Sequence, residues 1–216
     1  MSRVTNIPTN RWLVVALGIL AVVVIMTFAL SQPTTFTPGQ VLIIGDSITE
    51  KPAMATNQGN LGWWQYLLDG RNDMFKFSAE SGSGYVAKGS RGTTFFDRLP
   101  DISKTRPRAI IIAGGVNDRH AAYPADTIRR YYDALSQTIK KTGIPPSNVY
   151  VFVPRPAGVA TEITELVKAN AERIGVHFVS VPGYSTTFDG LHPDSAGAKQ
   201  IEQNFVTNSD FGERLE

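Results

Sequence analysis

The chain has 216 residues and not one cysteine. Disulfides are therefore excluded, and so is a lipid anchor on a cysteine after the N-terminal apolar run. Histidine is scarce, so imidazole chemistry must be assigned among His120, His177 and His192. No acidic residue occurs before position 31, and residues 13–30 carry no charge of either sign. Internal repeats and long low-complexity tracts are absent. So is any basic stripe of the kind that tracks a nucleic-acid backbone.

What the N-terminus does have is an unbroken 18-residue apolar run, Leu13 to Leu30, preceded by Arg3 and Arg11. A run of that length suffices for one bilayer crossing and exceeds a usual signal-peptide core. The expectation is a cytoplasmic tail and uncleaved transmembrane anchor over residues 1–30, crossing the membrane at 13–30, with the rest of the chain outside. The competing reading is a cleaved signal peptide with Ala29-Leu30-Ser31 as the processing site. Residues 31–40, with two prolines and three threonines, read as an extended linker. Residues 1–30 hold two of the 21 basic residues and none of the 19 acidic ones, so residues 31–216 carry 19 of each and no formal net charge.

From residue 41 onward, strand-like and helix-like segments alternate. Strands are expected at Val41–Ile44, Met74–Phe77, Ala109–Ala113, Val149–Val153 and Val176–Val181. Helices are expected at Leu61–Asp69, Phe95–Ile102, Pro124–Lys141, Ala160–Ile174 and Ser195–Phe205. Pro124 suits a first helical turn and Gly143 a C-terminal cap. Ile128, Tyr131, Tyr132, Leu135 and Ile139 recur at three- and four-residue steps, which gives that helix one apolar face. The alternation predicts an α/β domain with a parallel sheet covered by helices on both faces, over residues 41–216.

The stretch Val41-Leu42-Ile43-Ile44-Gly45-Asp46-Ser47 is a fully apolar strand followed at once by a turn. Ser47 then sits just past the carboxyl end of the strand, where open α/β sheets bind ligands. Its hydroxyl is either a helix cap or a nucleophile. Three later strand ends open on the same edge. Ser81-Gly82-Ser83-Gly84 follows the second strand; its backbone N–H groups suit a developing negative charge, and a plain flexible turn is the other reading. Gly82-x-Gly84-x-x-Ala87 also matches a loose dinucleotide fingerprint, but it does not follow the first strand and no ribose-binding acid comes after it. Gly115-Val116-Asn117-Asp118 follows the third strand, and Asn117 offers a neutral amide donor that needs no charge desolvation. Asp189-Gly190-Leu191-His192 follows the fifth and sets a carboxylate three residues from an imidazole, able to hold one ring nitrogen. His177 lies within a strand and reads as structural, and His120 as a surface or pocket residue. Asp189, His192 and Asp194 are a weak metal-ligand set without a second histidine nearby.

Taken together, Gly45-Asp46-Ser47, the glycine turn at Gly82, Gly115-x-Asn117-Asp118 and Asp189-x-x-His192 resemble, in order, the four blocks of the SGNH (GDSL-type) hydrolases, over residues 40–206. The resemblance implies a flavodoxin-like three-layer α/β/α sandwich with five parallel strands. It implies Ser47 as nucleophile, His192 as base and Asp189 as its orienting acid. It places an oxyanion hole at Ser47 N–H, Gly82 N–H and the Asn117 side chain, with no metal or organic cofactor. Ala79-x-Ser81-Gly82 stands for the family's Gly-x-Ser-Gly and favours Gly82 over Gly84 as the donor. The activity implied is carboxylic-ester hydrolysis through an acyl-serine. The absence of a lid insertion points to short acyl groups, such as O-acetyl on envelope carbohydrate. Trp63, Trp64 and Tyr85 are candidates to line the acyl or sugar site. An O-acyltransferase using the same residues, or a non-catalytic envelope-binding domain, are the alternatives.

Overall fold

β1, Val41–Gly45, is apolar at every position except its terminal glycine and is buried throughout. Only a strand flanked on both sides and covered on both faces can carry such a run. In the computed structural model, which describes residues 41–50, 62–67, 74–122, 124–156 and 162–214, β1 lies inside a five-stranded sheet of order β2-β1-β3-β4-β5. The other strands are β2 Phe75–Ala79, β3 Ala109–Ala113, β4 Val149–Phe152 and β5 His177–Phe178. Every pairing is parallel, with Val41 opposite both Phe75 and Ala109.

Parallel pairing obliges the chain to cross over between strands, and helices make the crossings. The helices are α1 Ser47–Glu50, α2 Trp63–Leu67, α3 Leu99–Thr105, α4 Pro124–Thr142, α5 Glu162–Arg173 and, after the last strand, α6 Ser195–Thr207. The period of two along each strand divides the core. Val41, Ile43, Ile111 and Phe152 face Trp63 of α2 and Ile201 and Phe205 of α6. Leu42, Ile44, Ile110 and Val151 face Ile102 of α3, Tyr132 and Leu135 of α4 and Val167 of α5. Each such buried side chain contributes about 1.5–3 kcal/mol of transfer free energy. A helical layer thus covers each face of the sheet.

The elements differ from the sequence expectation mainly at their ends. The expected helix Phe95–Ile102 is a 3₁₀ turn, Phe96–Arg98, running into α3. Pro100 sits in the first turn of that helix, where the N–H that a proline lacks is not used. α3 stops at Thr105, and Arg106 takes a left-handed φ of 45° just ahead of Pro107. The expected strand Val176–Val181 shortens to His177–Phe178. Its partner β4 runs into Pro154 and Pro156, which have no N–H to extend the ladder. His177 is exposed on this edge strand and stacks on Tyr150 at 5.2 Å.

The expected anchor and linker, residues 1–40, lie outside the described residues. Among the described residues no helix is long and apolar enough to cross a membrane. The strand order reverses between β1, whose crossover leads to β2, and β3 on its other side. Loops leaving the carboxyl ends of β1 and β3 diverge at such a reversal and leave a crevice.

Candidate active site

Ser47 opens α1 at that crevice, one residue past Asp46 and two past the end of β1. The turn is held locally. Asp46 C=O accepts from the N–H groups of Thr49 (3.1 Å) and Glu50 (2.8 Å), and Asp46 Oδ1 accepts from Ile48 N–H at 2.9 Å. Ser47 is only 6% exposed.

Its hydroxyl donates to His192 Nε2 at 2.9 Å. The other ring nitrogen, Nδ1, donates to Asp189 Oδ2 at 2.7 Å. A carboxylate can only accept, so the imidazole proton belongs on Nδ1 and Nε2 is left as an acceptor. Asp189 Oδ1 takes three more donors at 2.9 Å: Thr187 Oγ1, Leu191 N–H and His192 N–H. Burial alone would raise the Asp189 carboxyl, but these donors and the imidazole outweigh it and hold the group well below the usual carboxylate range. The loop is closed on itself by Thr187 N–H to His192 C=O (2.8 Å), Tyr184 Oη to Leu191 C=O (2.9 Å) and a Thr186–Pro193 bridge.

Two neighbouring loops complete the crevice. Asn117 Nδ2 donates to Ser83 C=O at 2.9 Å. Because that partner is an acceptor, the amide orientation is fixed, and its second N–H remains to point elsewhere. Asp118, fully buried, gathers the N–H groups of Tyr85 (2.8 Å), Val86 (2.9 Å) and Ala87 (2.8 Å) on its carboxylate. The second-strand loop is thereby hung from the third-strand loop. Between the two glycines of that loop the geometry discriminates. Gly84 N–H donates to Ala87 C=O at 2.9 Å, and a Cβ on Gly84 would lie 2.4 Å from Asp118 Oδ2. Gly82 has a φ of +78°, and its N–H has no acceptor among the described residues.

The remaining candidates separate. Trp63 is buried against Phe152 and Phe205, and Tyr85 is buried with its hydroxyl on Tyr132, so neither lines an acyl site as the sequence suggested. Both are core side chains because each is encircled by other aromatics. Trp64 is half-buried, with Nε1 on Thr49 C=O at 3.0 Å, beside the Ser47 turn. His120 is exposed in a 3₁₀ turn. Asp194 is the N-cap of α6, accepting from Gly197 N–H at 2.7 Å and Ser185 Oγ at 2.5 Å, as an aspartate ahead of a helix commonly does. Among the described residues no three His, Asp or Glu side chains gather as metal ligands.

Sequence reasoning missed a layer of charged residues behind the loops. Arg98, 5% exposed, donates to Gly45 C=O at 2.7 Å and pairs with the buried Glu80 at 3.3 Å. Glu80 also accepts from Arg91 N–H and from the Thr93 hydroxyl. Charged residues in a glycine-rich loop read as solvated, and no local spacing signals that they fold inward.

The profile of the GDSL-like Lipase/Acylhydrolase family matches residues 43–200. Among solved structures, the fold resembles a family two carbohydrate esterase from Cellvibrio japonicus, at 14% identity over 85% of this chain and 64% of that one, with a TM-score of 0.62. It resembles a GDSL-like lipase from Bacteroides thetaiotaomicron at 20% identity over 78% and 86%, with a TM-score of 0.55. A third likeness is the psychrotrophic esterase EstA from Pseudoalteromonas sp., in a structure inhibited by monoethylphosphonate, at 15% identity over 79% and 96% and a TM-score of 0.56. Identities this low speak to the fold alone, and no curated protein matches the chain. The profile, by contrast, runs from β1 through the His192 loop into α6, well over half of the sequence. The chain belongs to the GDSL-like lipase/acylhydrolase family, the SGNH hydrolases, and is a serine hydrolase of ester bonds.

Proposed function

We propose that Ser47 is the nucleophile, His192 the general base and Asp189 the acid that orients it, in an enzyme cleaving short-acyl carboxylic esters. The observation that carries this reading is the line from Ser47 Oγ to His192 Nε2 to Asp189, at 2.9 and 2.7 Å. A serine hydroxyl is weakly nucleophilic at neutral pH unless a base takes its proton during attack. Ser47 Oγ adds to the ester carbonyl carbon as its proton passes to His192 Nε2, and Asp189 stabilises the imidazolium. The carbonyl oxygen becomes an oxyanion facing Ser47 N–H, Gly82 N–H and the second Asn117 N–H. Collapse breaks the carbon–oxygen bond to the leaving alcohol, which receives the proton from His192. Water, deprotonated by the same imidazole, then releases the acid and restores Ser47.

The substrate reading is an O-acetyl or similarly short ester on envelope carbohydrate. It is supported by the shared fold with a carbohydrate esterase and by the apolar run at residues 13–30, read as an anchor that leaves residues 41–216 outside the cytoplasm. A p-nitrophenyl ester series should peak at acetate or propionate, and a peak at C12 or beyond overturns the short-acyl reading. Intact mass of cell-derived protein tests the anchor, since loss of the first 31 residues, by cleavage after Ser31, would replace it with a signal peptide.

The mechanism itself is tested by intact mass after treatment of the full chain, in detergent, with a small fluorophosphonate. One adduct is expected on the parent and none on Ser47→Ala. An adduct on both would move the nucleophile elsewhere.

A further inference from the structure

Glu50 closes α1, the single helical turn that Ser47 opens. Its side chain is 17% exposed and reaches across to the second-strand loop, where Oε2 accepts Ser81 N–H at 2.5 Å. The other oxygen, Oε1, pairs with Arg91 Nη1 at 2.5 Å, and Arg91 Nη2 donates to Ala79 C=O at 2.6 Å. Arg91 is tied from behind as well, through its own N–H to Glu80. One carboxylate thus spans the nucleophile's turn and the residue immediately before Gly82, while an arginine from the far side of the loop holds that carboxylate in place. Both ends are bracketed a second time by Arg98, which joins Gly45 C=O to Glu80.

We infer that Glu50, braced by Arg91, is a positioning residue that sets the Gly82 N–H against Ser47 so that the two can meet one oxyanion. This rests on the reading of Gly82 and Asn117 as oxyanion donors. The physical need is specific. A preorganised donor stabilises the transition state only if it is already at the oxyanion's place when charge develops. Gly82 sits at a left-handed φ in a turn without a regular ladder, so its direction is set by its neighbours' hydrogen bonds. Ser81 N–H is the adjoining peptide group, and Glu50 is its acceptor. A charge-assisted bond to a carboxylate is shorter and stronger than one to water and resists rotation of that peptide. The carboxylate is suited to remain ionised: its burial acts to raise it, but the Ser81 and Arg91 hydrogen bonds hold it below the usual carboxylate range. Neither Glu50 nor Arg91 belongs to the Ser47–His192–Asp189 line.

The test is steady-state kinetics on p-nitrophenyl acetate with Glu50→Ala, Glu50→Gln, Arg91→Ala and Asn117→Ala, each rate expressed per folded molecule. Glu50→Ala should lose about tenfold or more in kcat with KM changed less than about twofold, since small displacements of a catalytic donor cost rate rather than ground-state binding. Glu50→Gln, whose amide oxygen can still accept Ser81 N–H, should recover most of that loss. Arg91→Ala should fall between the two; its side chain is 59% exposed, so it provides a variant that keeps the core intact. A purely structural role would lower the melting temperature and leave kcat per folded molecule unchanged in all three, and that result overturns the inference. Asn117→Ala separates the two readings. If it loses about 10²–10³ in kcat while the Glu50 and Arg91 variants match the parent, the oxyanion hole stands and the role of Glu50 fails. If Asn117→Ala is itself unimpaired, the oxyanion reading fails and takes the inference with it.

Discussion

Ser47 Oγ and His192 Nε2 lie 2.9 Å apart, although 145 residues of chain separate them. A pair acting as one unit loses nearly everything when either member goes. Ser47→Ala and His192→Ala should each reduce kcat/KM at least about 10⁴-fold, and the double variant should be no slower than the worse single one. Rates on p-nitrophenyl acetate decide this. Multiplicative losses would show that the two act separately.

Asp189→Asn carries a directional prediction. Leu191 N–H and His192 N–H both point at Oδ1, so a substituted amide must keep its oxygen there. Its NH₂ would then face His192 Nδ1, which must become an acceptor, and the ring proton moves to Nε2. That tautomer cannot take the Ser47 proton. The expected loss is about 10³–10⁴ in kcat with little change in KM. NMR of the imidazole nitrogens should show the exchanged tautomer.

Asp46, fully buried, should make stability depend on pH. Burial raises its carboxyl to about 7, with the nearby Asp118 adding to the rise, against the lowering effects of Ile48 N–H and Arg98. Its Oδ2 has no hydrogen-bond partner among the described residues. Between about pH 4 and 7 the unfolded chain has released this proton and the folded chain still holds it. The folded state therefore binds more protons, and stability falls as pH rises, by a few kcal/mol in total. Asp46→Asn should flatten that slope whatever it does to absolute stability. Urea denaturation at pH 5 and pH 8 compares the two, and equal slopes in parent and variant would refute it.

Asp118→Ala should unfold the loop before it abolishes chemistry. It removes the shared acceptor of three backbone N–H groups, each costing about 1–3 kcal/mol if left buried and unpaired. A stability loss above about 3 kcal/mol by chemical denaturation is expected. Asp118→Asn, which keeps one acceptor oxygen, should lose less.

The legible part of the molecule was the part governed by period and by turn chemistry. β1 and β3 could be read because buried parallel strands are apolar at every position, and α4 because its apolar face repeats at helical steps between Pro124 and Gly143. Ser47, Asn117, Asp189 and His192 stood out because each follows a strand and so must open on one edge. Ends and supports were harder. β5 fell short because its length depends on prolines in β4's continuation, which no reading of residues 176–181 reveals. Glu50, Glu80, Arg91 and Arg98 form partners across 11 to 41 residues of sequence, a relation that leaves no local pattern. Tyr85 and Trp63 looked like pocket aromatics for the same reason: their types fit either place, and only the surrounding rings decide.

The loop that carries His192 is fastened chiefly to itself. The Thr186–Pro193 bridge and the Thr187-to-His192 bond fix Asp189 and His192 with respect to each other, while the strand preceding the loop pairs over only two residues at the sheet's margin. Ser47, by contrast, follows β1, which is paired along its whole length on both sides. The site thus joins a nucleophile fixed by a fully paired strand to a self-bound loop whose joint to the sheet is a strand of two residues. Local opening draws on such weakly tied segments first. Mild denaturant should therefore silence the enzyme while its far-UV circular dichroism is still native, and catalytic competence becomes a gauge of one joint rather than of the fold.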